Sequence, residues 1–183
     1  MRTVEGWLPF QEYFVARRCQ PVVQAIDYQG ADRARVCTPV LELLRSPALR
    51  AVILCPSNPL LSIEPMLAIP ELRRALTDCA APVIAVSPIV AGEALKGPTA
   101  KMLRELGRPV DALEAARRYA DLVDGYIVDE RDAALAAVAV PGVRIVATNT
   151  VMDSLAHKQQ LAQACVQLAD ALTHEHCASA TPP

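Results

Sequence analysis

The sequence predicts an α/β fold with a mostly parallel sheet flanked by helices, and three observations predict it. Short apolar runs alternate with amphipathic patterns along most of the chain, as strands alternate with helices around a parallel sheet. Hydrophobic residues make up 52% of the 183 residues but aromatic residues only 4%, which is typical of an aliphatic sheet buried under helices. Two of the runs, 53–60 and 83–92, end in polar turns that contain proline, as strands do where they meet a ligand.

The first 30 residues have the least regular pattern. Residues 10–18 indicate a short helix, and residues 22–28 partly alternate before Gly30, which indicates a strand. Thr38 followed by Pro39 is typical of an N-cap and the first position of a helix, which is predicted to run to about Arg45.

From residue 50 onward a regular strand–helix alternation is predicted. The strands are predicted at 50–55, 82–86, 125–129 and 143–147. The helices are predicted within 63–76 and at 97–106, 111–122, 133–138 and 153–172, with Asp153 as the cap of the last one. The folded domain is predicted to span residues 1–172, and residues 173–183 are predicted to form a disordered tail that includes the His174-Glu175-His176 sequence.

Composition excludes several classes of function. The formal net charge is −2, which predicts no attraction to nucleic acid. The first residues have no apolar signal region, and the apolar runs are too short to span a bilayer. None of the six cysteines forms a Cys-x-x-Cys pair or has a zinc-site spacing, so we expect a reduced, cytoplasmic setting. Cys55 and Cys165 lie in apolar patterns that predict buried positions.

Polar residues follow four predicted strands, at segments that we call the first tip (56–59), second tip (87–92), third tip (129–132) and fourth tip (148–150). Because the carboxyl ends of parallel strands share one edge of a sheet, we expect the four tips to form a ligand site. At the first tip, the amides of Ser57 and Asn58 are candidate donors to an anion. The alternative is a turn that only connects strand to helix.

The second tip has the same design. Ser87 and Pro88 end a buried strand, Gly92 allows close backbone approach, and Lys96 lies just before a predicted helix. A lysine at this place would reinforce phosphate binding as a point charge, although a plain surface lysine is the more common case.

The third tip carries Asp129, Glu130 and Asp132. These carboxylates are candidate Mg²⁺ ligands, but helix capping is the favoured interpretation. Since there is no Gly-x-Ser-x-Gly motif and the histidines lie late in the chain, triad chemistry is not expected. Any catalysis is predicted to depend on positioning and charge neutralisation, with no catalytic residue assigned.

Several of these segments together resemble the CofD/FbiA family, the 2-phospho-L-lactate transferases of coenzyme F-420 biosynthesis. The resemblance runs in order from about residue 2 to residue 172. It rests on Phe10-Gln11-Glu12-Tyr13-Phe14-Val15, Cys55-Pro56-Ser57-Asn58-Pro59, Ser87-Pro88-Ile89-Val90, Ala94-Leu95-Lys96-Gly97-Pro98 and Asp124-Gly125-Tyr126-Ile127-Val128-Asp129.

The resemblance implies a Rossmann-like fold and a Mg²⁺-dependent reaction. The implied reaction transfers a phospholactyl or phosphoenolpyruvyl group from a guanosine diphosphate conjugate to a deazaflavin alcohol, with release of GMP. The first and second tips with Lys96 would surround the guanosine diphosphate portion, and Gln11 and Tyr13 would lie nearer the acceptor. The implied binding residues are Ser57, Asn58, Pro59, Ser62, Ser87, Pro88, Gly92, Lys96, Gln11 and Tyr13.

The chain departs from the family pattern in two ways. The opening strand, its Gly-Gly-Thr-Gly-Gly turn and the acidic residues of that part are absent, so we expect this chain to match about the second half of the fold and the Mg²⁺ ligands to lie outside it. A homodimer or a complementing N-terminal half is therefore the expected partner. Glu64 stands where the family usually has glycine, and its carboxylate would repel a diphosphate unless it points away or meets a cation.

Two alternatives to an active transferase remain. One is a non-catalytic regulatory protein that binds a nucleotide or a nucleotide sugar, similar to CofD-related regulators. The other is a relic that binds nothing and whose exposed apolar sheet edge aggregates or pairs with another chain.

Overall fold

The computed structural model describes residues 1–179, with side chains for residues 1–175, and it contains three sheets. A small antiparallel sheet has the order β2-β1-β3, the central parallel sheet has the order β4-β5-β8-β9, and β6 and β7 form a hairpin. The strands are β1 (Arg2–Thr3), β2 (Gly6–Trp7), β3 (Val23–Ala25), β4 (Val52–Leu54), β5 (Val83–Val86), β6 (Ile89–Val90), β7 (Glu93–Ala94), β8 (Gly125–Asp129) and β9 (Arg144–Thr148). The predicted Rossmann-like α/β fold is confirmed, since every pair in the central sheet is parallel.

The helices are shorter than predicted in two places. The segment 63–76 holds two helices because Pro70 cannot continue the first one and instead begins the second. The predicted helix at 111–122 is reduced, since the Asp111 carboxylate accepts the amide of Leu113 and forms a turn. The α-helices are α1 (Thr38–Leu44), α2 (Glu64–Leu67), α3 (Pro70–Thr77), α4 (Thr99–Glu105), α5 (Glu114–Arg118) and α6 (Leu155–Ser179).

Single helical turns complete the list of elements. The predicted helix at 10–18 is a π-helical turn, Glu12–Ala16, and a second π-helical turn, Pro59–Ile63, follows the first tip. The predicted helix at 133–138 is a 3₁₀ segment, Glu130–Ala137, and a further 3₁₀ turn spans Ala31–Arg33. The N-cap position of α1 is Cys37, one residue earlier than predicted, and its side chain forms no capping hydrogen bond.

The two faces of the central sheet are covered in different ways. The strand order follows the chain order, so right-handed crossovers place the connecting helices on one face. On that face, Ala85 and Tyr126 pack with Ala116 of α5 and Leu76 of α3. On the other face, side chains of β5 and β8 pack against α6, which contributes Leu161, Cys165, Leu168 and Leu172. Strand β4 pairs only with β5 within the described residues, and Ile53 is 38% exposed.

Helix α6 corrects two predictions. It continues to Ser179, so the predicted boundary at residue 172 falls inside the helix, where Glu175 pairs with Arg144 of β9. The remainder of the predicted tail, residues 180–183, lies outside the described residues. The cap is Ser154, whose hydroxyl accepts the amide of His157 at 3.1 Å, whereas the Asp153 carboxylate pairs with the His157 ring.

The N-terminal segment closes the site end of the molecule. Its Tyr13 and Val23 pack with Leu60, Met102 and Leu103 in a third apolar cluster, next to the first tip. Cys165 is buried as predicted, but Cys55 is exposed because it follows the end of the edge strand β4. No helix in the described part of the chain is both long enough and apolar enough to cross a membrane.

Candidate functional site

The order of the central sheet places the four tips side by side, as predicted. The tips follow β4, β5, β8 and β9, which are consecutive neighbours in the sheet and all parallel. Their carboxyl ends therefore share one edge, which is the usual ligand position in such sheets. Whether a tip can bind a ligand then depends on which of its polar groups are already bonded within the protein.

The first tip keeps its backbone donors free. The Asn58 carboxamide oxygen accepts the amides of Leu60 and Leu61, at 2.9 and 3.1 Å, and so caps the π-helical turn Pro59–Ile63. The backbone amides of Ser57 and Asn58 donate to no group among the described residues. The side chain of Asn58 is therefore structural, while two half-buried amides at the strand end are available to an acceptor.

The second tip is more structural than the sequence predicted. Ser87 is buried, and its hydroxyl lies 2.9 Å from the Ile89 carbonyl and 3.1 Å from the Ala112 carbonyl, and accepts the amide of Ile89. Backbone groups therefore occupy this hydroxyl, and the assignment of Ser87 to a ligand site stays a prediction. Ala91 and Gly92 have φ of +50° and +75°, as a type I′ turn between β6 and β7 requires, so the hairpin explains the glycine.

Lys96 lies three residues before α4, a helix that contacts the first tip through Met102. It is exposed in the segment between β7 and α4, and it forms no ion pair with any residue that the structure describes. In α4, the Met102 sulfur lies 4.0 Å from the Asn58 carboxamide nitrogen. The contact places α4, the helix that follows Lys96, against the first tip.

The third tip is a capping structure. Asp129 is fully buried, and its carboxylate accepts the amide and Nε of Arg131 at 3.2 and 2.7 Å, and the amide and hydroxyl of Thr150 at 2.9 and 3.0 Å. Burial opposes ionisation, but these bonds hold the pKa of Asp129 below its ordinary value. The Asp132 carboxylate accepts the amide of Ala91 at 2.8 Å. Residues 1–175 contain no cluster of three or more potential metal ligands.

The Glu64 carboxylate contacts a cation, which is one of the two arrangements expected for a carboxylate close to a diphosphate site. Its carboxylate pairs with the guanidinium of Arg118 and accepts the hydroxyl of Tyr28 at 3.0 Å. Burial, with Tyr119 nearby, raises the pKa of Tyr28 to about 12, so the phenol donates throughout the neutral range. The sequence signal for this trio is absent, since Tyr28 and Arg118 lie 36 and 54 positions from Glu64.

The remaining predicted residues have different surroundings. Tyr13 is fully buried, and its hydroxyl donates to the Cys19 carbonyl at 3.4 Å, so it is a core residue that cannot contact a ligand in this structure. Burial raises its pKa to about 12. Gln11 and Ser62 are exposed, Pro88 is half-buried, and Pro59 is buried with its carbonyl accepting the Tyr119 hydroxyl at 3.4 Å.

Comparison with known proteins identifies relatives of this chain. A family model described as 2-phospho-L-lactate transferase CofD matches residues 1–170. The 2-phospho-L-lactate transferase of Methanococcoides burtonii is 33% identical over 169 residues, which cover 92% of this chain and 54% of the relative. That of Halobacterium salinarum is 34% identical over 165 residues, which cover 90% and 46%. The phosphoenolpyruvate transferase of Kitasatospora aureofaciens is 34% identical over 167 residues, which cover 90% and 51%. The chain spans about half the length of the curated relatives it matches.

Proposed function

This chain belongs to the 2-phospho-L-lactate transferase CofD family, and from this premise we propose that it acts as a transferase in coenzyme F-420 biosynthesis. The reaction moves a phospholactyl or phosphoenolpyruvyl group from a guanosine diphosphate conjugate to a deazaflavin alcohol and releases GMP. The observation that best supports it is the contact between the first tip and α4, the helix that follows Lys96. The amides of Ser57 and Asn58 and the ammonium of Lys96 are without partners among the described residues.

These donors suit a diphosphate. Backbone amides at a strand end bind phosphate oxygens without a charge of their own, and an ammonium adds a point charge. In group transfer from a diphosphate the protein acts mainly by positioning and by neutralising charge. We therefore assign donor binding, and no bond-breaking role, to Ser57, Asn58 and Lys96.

The described residues do not fit a Mg²⁺ site. The four donors on Asp129 leave its carboxylate oxygens without a free lone pair for a cation. Asp132 is bonded to the hairpin turn, and Glu64 to Arg118 and Tyr28. We derive no step through a metal from this chain.

Calorimetry with GDP tests the donor site. Lys96→Ala is expected to weaken GDP binding by about fivefold or more, since it removes the charge that faces the diphosphate. Lys158→Ala is the matched control, because Lys158 is exposed on α6, which covers the opposite sheet face from the connecting helices. Lys101 is a poor control, since its ammonium pairs with Glu105 and donates to the Pro21 carbonyl. Equal losses in Lys96→Ala and Lys158→Ala would contradict the site.

Turnover tests the reaction itself. We propose that the open edge of β4 accepts a complementing N-terminal half or a second copy, since Ile53 is part-exposed there and relatives are about twice as long. The chain, with and without a separately expressed N-terminal half of a relative, is mixed with donor, deazaflavin alcohol and Mg²⁺. Formation of the coupled product with the half present supports the proposal; absence of product in both mixtures refutes it.

A second candidate is a non-catalytic binder of nucleotide sugars. The capped third tip favours it, because the described residues keep anion donors but have no metal cluster. Binding of a UDP-sugar with no response to GDP would establish this candidate in place of the transferase.

A further inference from the structure

The carbonyl of Leu60 receives no donor from its own helical turn. It belongs to the π-helical turn Pro59–Ile63, in which each carbonyl accepts the amide five residues later. For Leu60 that position is Pro65, which has no amide hydrogen. The amide four residues later, on Glu64, already donates to the Pro59 carbonyl. The turn that follows the first tip therefore needs a donor from another part of the chain.

The hydroxyl of Tyr28 supplies that donor. It lies 2.6 Å from the Leu60 carbonyl and 3.0 Å from the Glu64 carboxylate. A phenol has one proton to donate, which it shares between these two acceptors, and the shorter distance gives Leu60 the larger share. Since Tyr28 lies in the segment after β3, 32 positions from Leu60, this bond fixes the turn to a separate part of the molecule.

The position of Leu60 determines the position of the first tip. Its amide donates to the Asn58 carboxamide oxygen at 2.9 Å, while its carbonyl accepts the Tyr28 hydroxyl. The Asn58 carbonyl in turn accepts the amide of Ser62 at 2.9 Å. The free amides of Ser57 and Asn58 are thus continuous with a turn whose backbone groups are bonded. If the Tyr28 bond is removed, the Leu60 peptide can rotate, and an incoming acceptor then has to order the two free amides as it binds.

We propose that Tyr28 is a positioning residue for anion binding at the first tip. Its hydroxyl replaces the amide that Pro65 lacks, and so keeps the amides of Ser57 and Asn58 directed at one acceptor before any ligand arrives. The identity of that acceptor as a diphosphate rests on the proposed function, whereas the ordering of the turn by Tyr28 does not.

Calorimetry with GDP tests the effect on binding. Tyr28→Phe removes only the hydroxyl and is expected to raise the Kd of GDP about fivefold, as the loss of one hydrogen bond that orders the site. Tyr126→Phe is the matched control, because Tyr126 is buried on β8 and its hydroxyl bonds to no group of the first tip in the described part of the chain; its Kd should stay within twofold. Urea unfolding establishes that both variants are folded under the assay conditions. Equal Kd values for wild type and Tyr28→Phe overturn the proposal.

A second substitution can restore the missing donor. Pro65→Ala provides an amide hydrogen five residues after Leu60, where the π-helical turn can use it. In the Tyr28→Phe background it is expected to return the Kd of GDP to within twofold of wild type, and alone it should change the Kd less than twofold. A general loss of packing at Tyr28 would not be repaired by a backbone amide on another segment. A folded double variant that binds no better than Tyr28→Phe overturns the assignment.

Amide hydrogen exchange, followed by NMR without ligand, measures the order of the turn directly. The bonded amides of Leu60, Leu61 and Ser62 should exchange at least fivefold faster in Tyr28→Phe, while the amides of β8 keep their rates and so exclude a global loss of stability. Adding Pro65→Ala should slow the exchange again. Unchanged exchange of the three amides in Tyr28→Phe overturns the proposal.

The two proposals fail separately. Faster exchange in Tyr28→Phe in a chain that does not bind GDP refutes the donor site and leaves Tyr28 as the residue that orders the turn. GDP binding that Tyr28→Phe leaves unchanged, but that Lys96→Ala weakens, refutes the role of Tyr28 and leaves the donor site.

Discussion

Replacing Asp129 by asparagine tests whether the third tip is a capping structure or a ligand site. The carboxylate accepts four hydrogen bonds, two from Arg131 and two from Thr150. Asparagine is nearly isosteric but offers one oxygen, and its NH₂ group faces two of the four donors. The Thr150 hydroxyl can rotate to accept from that NH₂, and the Arg131 guanidinium, whose side chain is 53% exposed, can turn to water.

The expected loss follows from the bonds that cannot be replaced. At least one backbone amide loses its acceptor, which costs about 1–3 kcal/mol when the group is buried. The pair with Arg131 is discounted because the arginine is more than half exposed. We therefore expect Asp129→Asn to lower the free energy of unfolding by about 2 kcal/mol at pH 7. Asp132→Asn is the matched control, since its amide oxygen can still accept the single bond from Ala91, and about 0.5 kcal/mol is expected.

The loss of unfolding free energy in Asp129→Asn should become smaller at low pH. The pKa of Asp129 is lower in the folded chain than in the unfolded chain, where it lies near the ordinary value of about 3.9. The stabilisation is therefore complete above about pH 4 and disappears as the pH falls through the folded pKa. The difference in unfolding free energy between wild type and Asp129→Asn should shrink below about pH 4.

Urea unfolding between pH 2.5 and 7, followed by circular dichroism, measures these differences. A second series adds Mg²⁺, which should leave the urea midpoint of the wild type unchanged. The reasoning is refuted if Asp129→Asn costs no more than Asp132→Asn at pH 7. It is equally refuted if Mg²⁺ stabilises the wild type but not Asp129→Asn, because the carboxylate would then be a metal ligand.

Three further predictions concern packing and buried polar groups. Gly125→Ala should lower the free energy of unfolding by about 1–3 kcal/mol, since a Cβ there would lie 2.7 Å from Ile84 Cδ1 and 2.8 Å from Leu168 Cδ2. In urea unfolding, the double variant Gly125→Ala/Leu168→Ala should lose less stability than the sum of the two single losses, because Leu168→Ala removes one of the clashing side chains. Ser87→Ala should lower the unfolding free energy by about 1–2 kcal/mol and leave GDP affinity in calorimetry unchanged, and a fall in affinity without a loss of stability would contradict the structural role. Burial raises the pKa of every tyrosine, so absorbance at 295 nm should show no ionisation near pH 10 until urea unfolds the chain. The stabilisation that these neutral tyrosines provide should be complete below pH 10, and the free energy of unfolding should fall above pH 10 because the tyrosines of the unfolded chain then ionise. The tyrosines are Tyr13, Tyr28, Tyr119 and Tyr126.

The four strands of the central sheet were predictable because they depend on local patterns, whereas the two-residue strands β1, β2, β6 and β7 were not predicted. Apolar runs bounded by proline and glycine mark β5 and β8 in the sequence, and alternating strands and helices imply parallel neighbours. The predictions failed where one side chain redirects the local backbone. Asp111 shortened the helix predicted at 111–122, so that α5 begins only at Glu114, and Pro70 divided the helix after the first tip. Each of these effects depends on a single hydrogen bond or a single missing amide donor, which a hydrophobic pattern read over a whole segment does not detect.

The sequence by itself determined the fold class, the four adjacent tips and the family resemblance, because these depend on the order of residue types along the chain. Only the tertiary structure decided which polar groups remain free. Ser57 and Ser87 follow neighbouring strands, yet the Ser57 amide has no acceptor among residues 1–179 while the Ser87 hydroxyl is buried among backbone groups. Glu64 pairs with Arg118 from 54 positions away and with Tyr28 from 36 positions away. Two groups form a hydrogen bond when they lie close together in space, and the number of residues between them along the chain does not specify that distance.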